Sequence, residues 1–124
     1  MSNKNNLKKI IKIIHPEVRK KLNAFEKKNK RKKIIILDIP LIMENKINKK
    51  NDILIFVDAK KKEINKRLKK RDNFNPKIVE KFKKLQLSLE TKKNKSNYLI
   101  KNNFNNNSVK KNVKRIVSDI LLNA

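Results

Sequence analysis

Two carboxylates and two arginines stand where chemistry would be expected. The run Lys33-Ile34-Ile35-Ile36-Leu37-Asp38 and the run Asp52-Ile53-Leu54-Ile55-Phe56-Val57-Asp58 are both apolar and β-branched, and each stops at an aspartate. Such runs predict strands buried on both faces, as in a parallel α/β sheet. In open sheets of that kind, ligands bind beyond the carboxyl ends of the strands. Asp38 and Asp58 are therefore expected at the chemical edge. A strand-end aspartate can orient a hydrated divalent cation between phosphates, or it can simply accept backbone N–H groups at a turn. Arg67 and Arg71 stand four residues apart. On one helix face both reach a single anion, and arginine offers planar, bidentate donors to it. A solvated basic helix has the same spacing, so the pattern alone leaves both readings open.

The elements that must hold these residues follow from periodicity. Leu7, Ile10, Ile11 and Ile14 predict a first helix, and Pro16 opens a second that runs to about Lys28 and buries Val18, Leu22 and Phe25. His15 sits at the corner between them. A strand ending at Pro40 and a strand ending at Ala59 come next. Lys60 to Arg71 predicts a basic helix. Asn75 suits an N-cap with Pro76 at the first helical position. One continuous helix is expected from Pro76 to about Lys93, with Ile78, Phe82, Leu85 and Leu89 on one face. Asn97 to Lys101 predicts a third strand, and Ser108 a cap for a last helix burying Val109, Val113, Ile116, Val117, Ile120 and Leu121. The expected order is α-α-β-β-α-α-β-α.

Composition sets the bounds. The 124 residues carry 36 Lys+Arg against 11 Asp+Glu, a formal net charge of +25. That charge suits a polyanion partner, including non-specific binding of nucleic acid. Abundant Lys, Asn and Ile, all encoded by AT-rich codons, would arise equally from compositional drift. Aromatic residues are only 5%, too few to suggest a stacking platform for single strands. Without cysteine, and with a single histidine, thiolate and multi-histidine metal sites are excluded. The lysine-broken start does not read as a signal peptide, and the run from Ile34 to Met43 is too short to span a bilayer. The expectation is a cytoplasmic protein without a membrane partner. There is no glycine anywhere in the sequence, so these residues contain no glycine-rich phosphate loop.

Four blocks, in order and at matching spacing, carry a resemblance to one family. They are Ile13-Ile14-His15-Pro16-Glu17-Val18-Arg19, Asp38-Ile39-Pro40-Leu41-Ile42-Met43-Glu44-Asn45, Arg67-Leu68-Lys69-Lys70-Arg71-Asp72 and Asn97-Tyr98-Leu99-Ile100-Lys101-Asn102. Gln86 to Lys92 adds a segment similar to that family's lid. The chain resembles the C-terminal part of dephospho-coenzyme A kinase. It departs from the family pattern in lacking the upstream glycine-rich loop and the strand with an acceptor-activating aspartate. It also has Asn103-Phe104 where the family usually has a glycine.

The resemblance implies an α/β fold of the P-loop nucleoside-kinase type, a parallel sheet with a helical lid, here incomplete. It implies a helical acceptor-binding segment over 1–33, core segments over 34–59 and 96–124, and a lid over 60–95. The implied reaction moves the ATP γ-phosphate to the 3′-hydroxyl of dephospho-coenzyme A with Mg²⁺, the last step of coenzyme A biosynthesis. By the same resemblance, Arg67, Arg71 and Asp38 are the catalytic candidates. His15, Pro40 and Leu41 would meet the acceptor, and Asn102 the adenine. No residue is fixed as a metal ligand. A separate N-terminal kinase segment is an implied partner, and the chain alone is expected to be inactive. A basic RNA- or ribosome-associated protein and a non-catalytic regulatory fragment are the alternatives.

Overall fold

The computed structural model describes residues 16–123. The helix expected over Leu7 to Ile14, and His15, lie outside them. The chain divides into two compact units, Met1–Pro40 and Leu41–Ala124.

In the first unit, residues 16–28 form helix α1. Val18 and Leu22 are half-buried, whereas Phe25, expected inside, is exposed. Asn29 closes the helix: its backbone N–H and its side-chain Nδ2 both donate to the Phe25 carbonyl, at 3.1 and 2.9 Å. The run from Ile34 to Ile39 corrects the sequence reading. It forms no strand, and its residues alternate between exposed and half-buried, with Ile36 82% exposed. Apolar, β-branched composition favours extended backbone, but a strand also requires a neighbour for its N–H and C=O groups. Among the described residues this run has none.

The second unit is α/β. Its elements are β1 (Ile55–Ala59), α2 (Lys61–Lys69), α3 (Pro76–Leu85), α4 (Leu89–Asn94), β2 (Tyr98–Asn102) and α5 (Asn106–Leu122). β1 and β2 pair in parallel, with Ile55 opposite Tyr98, Asp58 opposite Lys101 and Ala59 opposite Asn102. The sheet of the described residues therefore has two strands, not three. Asn97 starts the ladder by exchanging bonds with Leu54. Its Oδ1 accepts the Leu54 N–H at 2.8 Å, and its own N–H donates to the Leu54 carbonyl at 2.8 Å.

α5 packs on β2 and supplies the buried centre, Ile116, at 2% exposure. Burying that side chain stabilises the unit by about 2 kcal/mol. Tyr98 ties strand to helix, donating its hydroxyl to Asp119 Oδ2 at 2.6 Å. The expectation of strands buried on both faces is not met in β1, where Ile55 and Val57 are 43% and 56% exposed. α5 packs on β2, and these two side chains stay about half exposed.

Helix boundaries also differ from expectation. The helix after Pro76 does not run through to Lys93 but breaks over Gln86–Ser88, where Gln86 is extended at φ −86° and ψ 145°. Ser88 then caps α4, accepting the Thr91 N–H at 3.0 Å. The cap of α5 is Asn105, which accepts the N–H of Ser108 at 3.1 Å. The Asn75 cap before Pro76 is as expected, accepting from Lys77 and Ile78. Among the described residues no helix is long and apolar enough to cross a membrane.

Candidate functional site

Two cavities of the second unit are each lined by the last residue of a parallel strand. The first, about 570 Å³, starts at Asn102, the last residue of β2, and is lined also by Arg67, Phe104, Lys110 and Lys114. The second, about 1100 Å³, starts at Ala59, the last residue of β1, and lies among α2, α3 and the Gln86–Ser88 break, with Arg71 on its wall.

Arg67 and Asn102 are thus brought to one cavity by different elements. α2 carries Arg67 in its last turn, where a cation also suits the negative helix end. β2 carries Asn102, and the chain after it is wound by asparagine side chains. Asn102 Oδ1 accepts the Phe104 N–H at 2.9 Å, and Asn103 Oδ1 accepts the Asn105 N–H at 3.1 Å. These bonds deliver Phe104 to the cavity in the left-handed region, at φ 61°. Its ring centroid lies 4.1 Å from the Arg67 guanidinium carbon, a cation–π contact. Lys110 and Lys114, one turn apart on α5, complete a wall of positive charge.

Arg71 is placed differently. α2 ends at Lys69 and Lys70 is its C-cap, so Arg71 lies beyond the helix. The helical i, i+4 relation to Arg67 does not hold, and the two arginines line different cavities. Asp38 and Pro40 belong to the first unit and are both exposed. Leu41 opens the second unit at φ 57° and starts a one-turn coil. There Asn45 N–H donates to the Leu41 carbonyl at 3.0 Å and Ile47 N–H to the Ile42 carbonyl at 3.0 Å.

The turn after Leu41 carries a residue whose part sequence reading missed. Glu44 Oε1 accepts from Lys92 Nζ at 2.7 Å and from the Leu87 N–H at 2.9 Å. Burial is the largest single influence on this carboxyl and pushes its pKa up. The hydrogen bond from Lys92, backbone N–H bonds from Glu44 itself and Leu87, and the Lys92 charge together outweigh it, holding the pKa below the ordinary value. Glu44 was legible only as a member of the Asp38–Asn45 block. Its partners lie more than forty residues away, where no local pattern reaches. Lys110 and Lys114 were hidden by the abundance of lysine, and Phe104 by its apolar type.

Among the described residues no three carboxylates, imidazoles or thiols come together as a metal cage. A hydrated divalent cation carried on phosphates needs only one or two protein carboxylates, and the exposed Asp38 is of the right chemistry for that.

The sequence model of the family described as dephospho-CoA kinase matches residues 1–110. A dephospho-CoA kinase of Fusobacterium nucleatum subsp. nucleatum is 37% identical over 121 residues, covering 95% of this chain and 61% of that protein. One of Wolbachia pipientis wMel is 31% identical over 120 residues, with 95% and 61% covered. One of Rickettsia bellii is 27% identical over 112 residues, with 90% and 59% covered. The chain spans about three fifths of the length of these relatives.

Proposed function

Because this chain belongs to the dephospho-CoA kinase family, we propose that it forms the acceptor-binding, core and lid parts of an enzyme that phosphorylates dephospho-CoA with ATP. The 3′-oxygen of the acceptor attacks the γ-phosphorus, and the bond from that phosphorus to the β–γ bridging oxygen breaks. ADP leaves and the hydroxyl proton passes to a base. Catalysis of such a transfer is mostly positioning and charge stabilisation.

The observation that supports this reading most is that Arg67 and Asn102, from separate family blocks, line one cavity at the carboxyl end of the parallel strands. Asn102 and the wall around it receive the nucleotide. Arg67 and Arg71, approaching from the lid, meet the charge of the transferring phosphoryl group. Pro40 and Leu41 shape the acceptor side by their backbone, with His15 beside it. Asp38 orients the acceptor or a water of the cation. Mg²⁺, when bound with the nucleotide, supplies charge neutralisation between the phosphates. Residues 1–33 form the acceptor segment and 60–95 the lid, in a cytoplasmic enzyme.

The 124 residues contain no glycine, so in this reading the backbone cradle for the triphosphate comes from residues outside them. β1 has a free edge among the described residues, and a strand of those outside residues would pair there. The test is titration of the chain with dephospho-CoA and with ATP by calorimetry. Binding of dephospho-CoA that is lost in Leu41→Pro, whose fixed negative φ forbids this turn, supports the reading. No binding of either compound, with or without an added glycine-rich segment, refutes it.

A further inference from the structure

Phe104 is held in a conformation that its own side chain opposes. A Cβ-bearing aromatic at φ 61° is uncommon on the backbone map, and such a conformation persists where the surroundings over-determine it. Here the surroundings are the asparagine side chains that wind residues 102–108. The result of the strain is specific. The ring is brought over the Arg67 guanidinium, with 4.1 Å from ring centroid to guanidinium carbon, and both side chains face the same cavity.

Arg67 needs such a support. Its side chain is exposed and long, and among the described residues no ion pair holds it. A carboxylate partner would fix it but would also neutralise the charge a phosphate requires. An aromatic face restrains the guanidinium while leaving its charge and its planar donors free for an anion. Pre-set donors lose less freedom when the anion arrives.

We propose that Phe104 is a positioning residue for Arg67, holding the guanidinium ready at the cavity through its ring face. This rests on the reading of Arg67 as a cation that faces the nucleotide. The capping of α5 by Asn105 has no need for an aromatic at 104.

The test compares the full chain with Phe104→Tyr, Phe104→Leu and Phe104→Gly by nuclear magnetic resonance. The Nε–Hε signal of Arg67 is assigned through Arg67→Lys. An aromatic ring over the guanidinium shifts that signal upfield. The shift is expected in the parent chain and in Phe104→Tyr, and its loss in Phe104→Leu and Phe104→Gly. Titration with ATP, followed on backbone amides of residues 102–114, is expected to show affinity about fivefold weaker in the Leu and Gly variants and unchanged in Tyr. Glycine adopts the left-handed region without strain, so that variant keeps the loop while deleting the ring. An Arg67 signal at the same position in all four proteins overturns the proposal, as does equal weakening in the Tyr variant. If the signal behaves as expected but ATP shifts no amide of the parent chain, the positioning role stands and the nucleotide reading of Arg67 fails.

Discussion

Glu44 and Lys92 are joined by an ion pair of 2.7 Å, with side chains 10% and 19% exposed. The oxygen that takes the Lys92 ammonium also accepts the Leu87 N–H. One carboxylate therefore holds together the coil that follows Leu41 and the break between α3 and α4. The coil is not relaxed: Leu41 and Lys46 both lie at positive φ, 57° and 50°, which only glycine adopts freely. The break between α3 and α4 is thus fastened to the turn proposed to meet the acceptor.

Removing that carboxylate should loosen both ends. Glu44→Ala leaves the Leu87 N–H and the Lys92 ammonium without their partner and is expected to cost about 1–3 kcal/mol. Glu44→Gln keeps an acceptor for Leu87 and is expected to cost less. Urea unfolding of the second unit measures the two, and faster hydrogen exchange over 41–46 and 87–92 in Glu44→Ala would locate the loss.

The same contact gives a pH dependence of known sign. Glu44 has a pKa below its ordinary value. Its contribution to stability is complete above the unfolded-state pKa and disappears as pH falls through the lower, folded value. Tyr98 runs the other way. Its hydrogen bond to Asp119, then burial and the Asp119 charge, raise its pKa. Its contribution is complete below the ordinary tyrosine value and is lost as pH rises through the folded one. Glu44→Gln should flatten the acid limb of a stability profile and Tyr98→Phe the alkaline limb, each leaving the other limb unchanged.

Much of this was legible in the sequence, and the failures share a cause. Asn75 before Pro76 states a cap and a first turn locally, and the structure forms both. The strand ending at Ala59 was visible as an apolar, β-branched run stopping at Asp58, and the last strand, observed over Tyr98–Asn102, as a short run expected over Asn97 to Lys101. Ile78, Phe82, Leu85 and Leu89 keep helical spacing straight through Gln86, so periodicity predicts one helix. The break is fixed by Glu44, a distant partner. Among several asparagines and a serine, nothing local selects Asn105 over Ser108 as the cap of α5. The Ile34 to Ile39 run has strand composition, but strand formation depends on a neighbour. Of the candidate site, Arg67 and Asn102 meet at one cavity, whereas the extension of α2 through Arg71 failed because that helix ends at Lys69.

Arg67 and Arg71 should act on the rate more than on binding. In the chain supplied with a glycine-rich segment, Arg67→Ala and Arg71→Ala are expected to lower kcat, on the order of 10²-fold for a lost donor to developing charge, with smaller increases in KM for dephospho-CoA. Steady-state kinetics separates the two parameters. Unchanged kcat in both variants would make these residues ordinary surface charge.

The free edge of β1 should respond to an added strand. Ile55 and Val57 remain exposed and β1 has a free edge among the described residues, so the chain alone is expected to melt early and broadly. A segment that pairs with β1 satisfies a ladder of N–H and C=O groups and buries those side chains. Circular dichroism melts should show a rise of several degrees with the segment, and Val57→Lys should reduce that rise.

The most direct test of the central claim is a coupled assay of ATP-dependent phosphorylation of dephospho-CoA. It is run on the 124-residue chain alone and on the chain mixed with the glycine-rich segment of a family member. The account predicts no measurable turnover for the chain alone and turnover when the segment is added, abolished by Arg67→Ala with Arg71→Ala. Turnover by the chain alone within about tenfold of a full-length relative would contradict it, because positioning of the triphosphate is most of this catalysis.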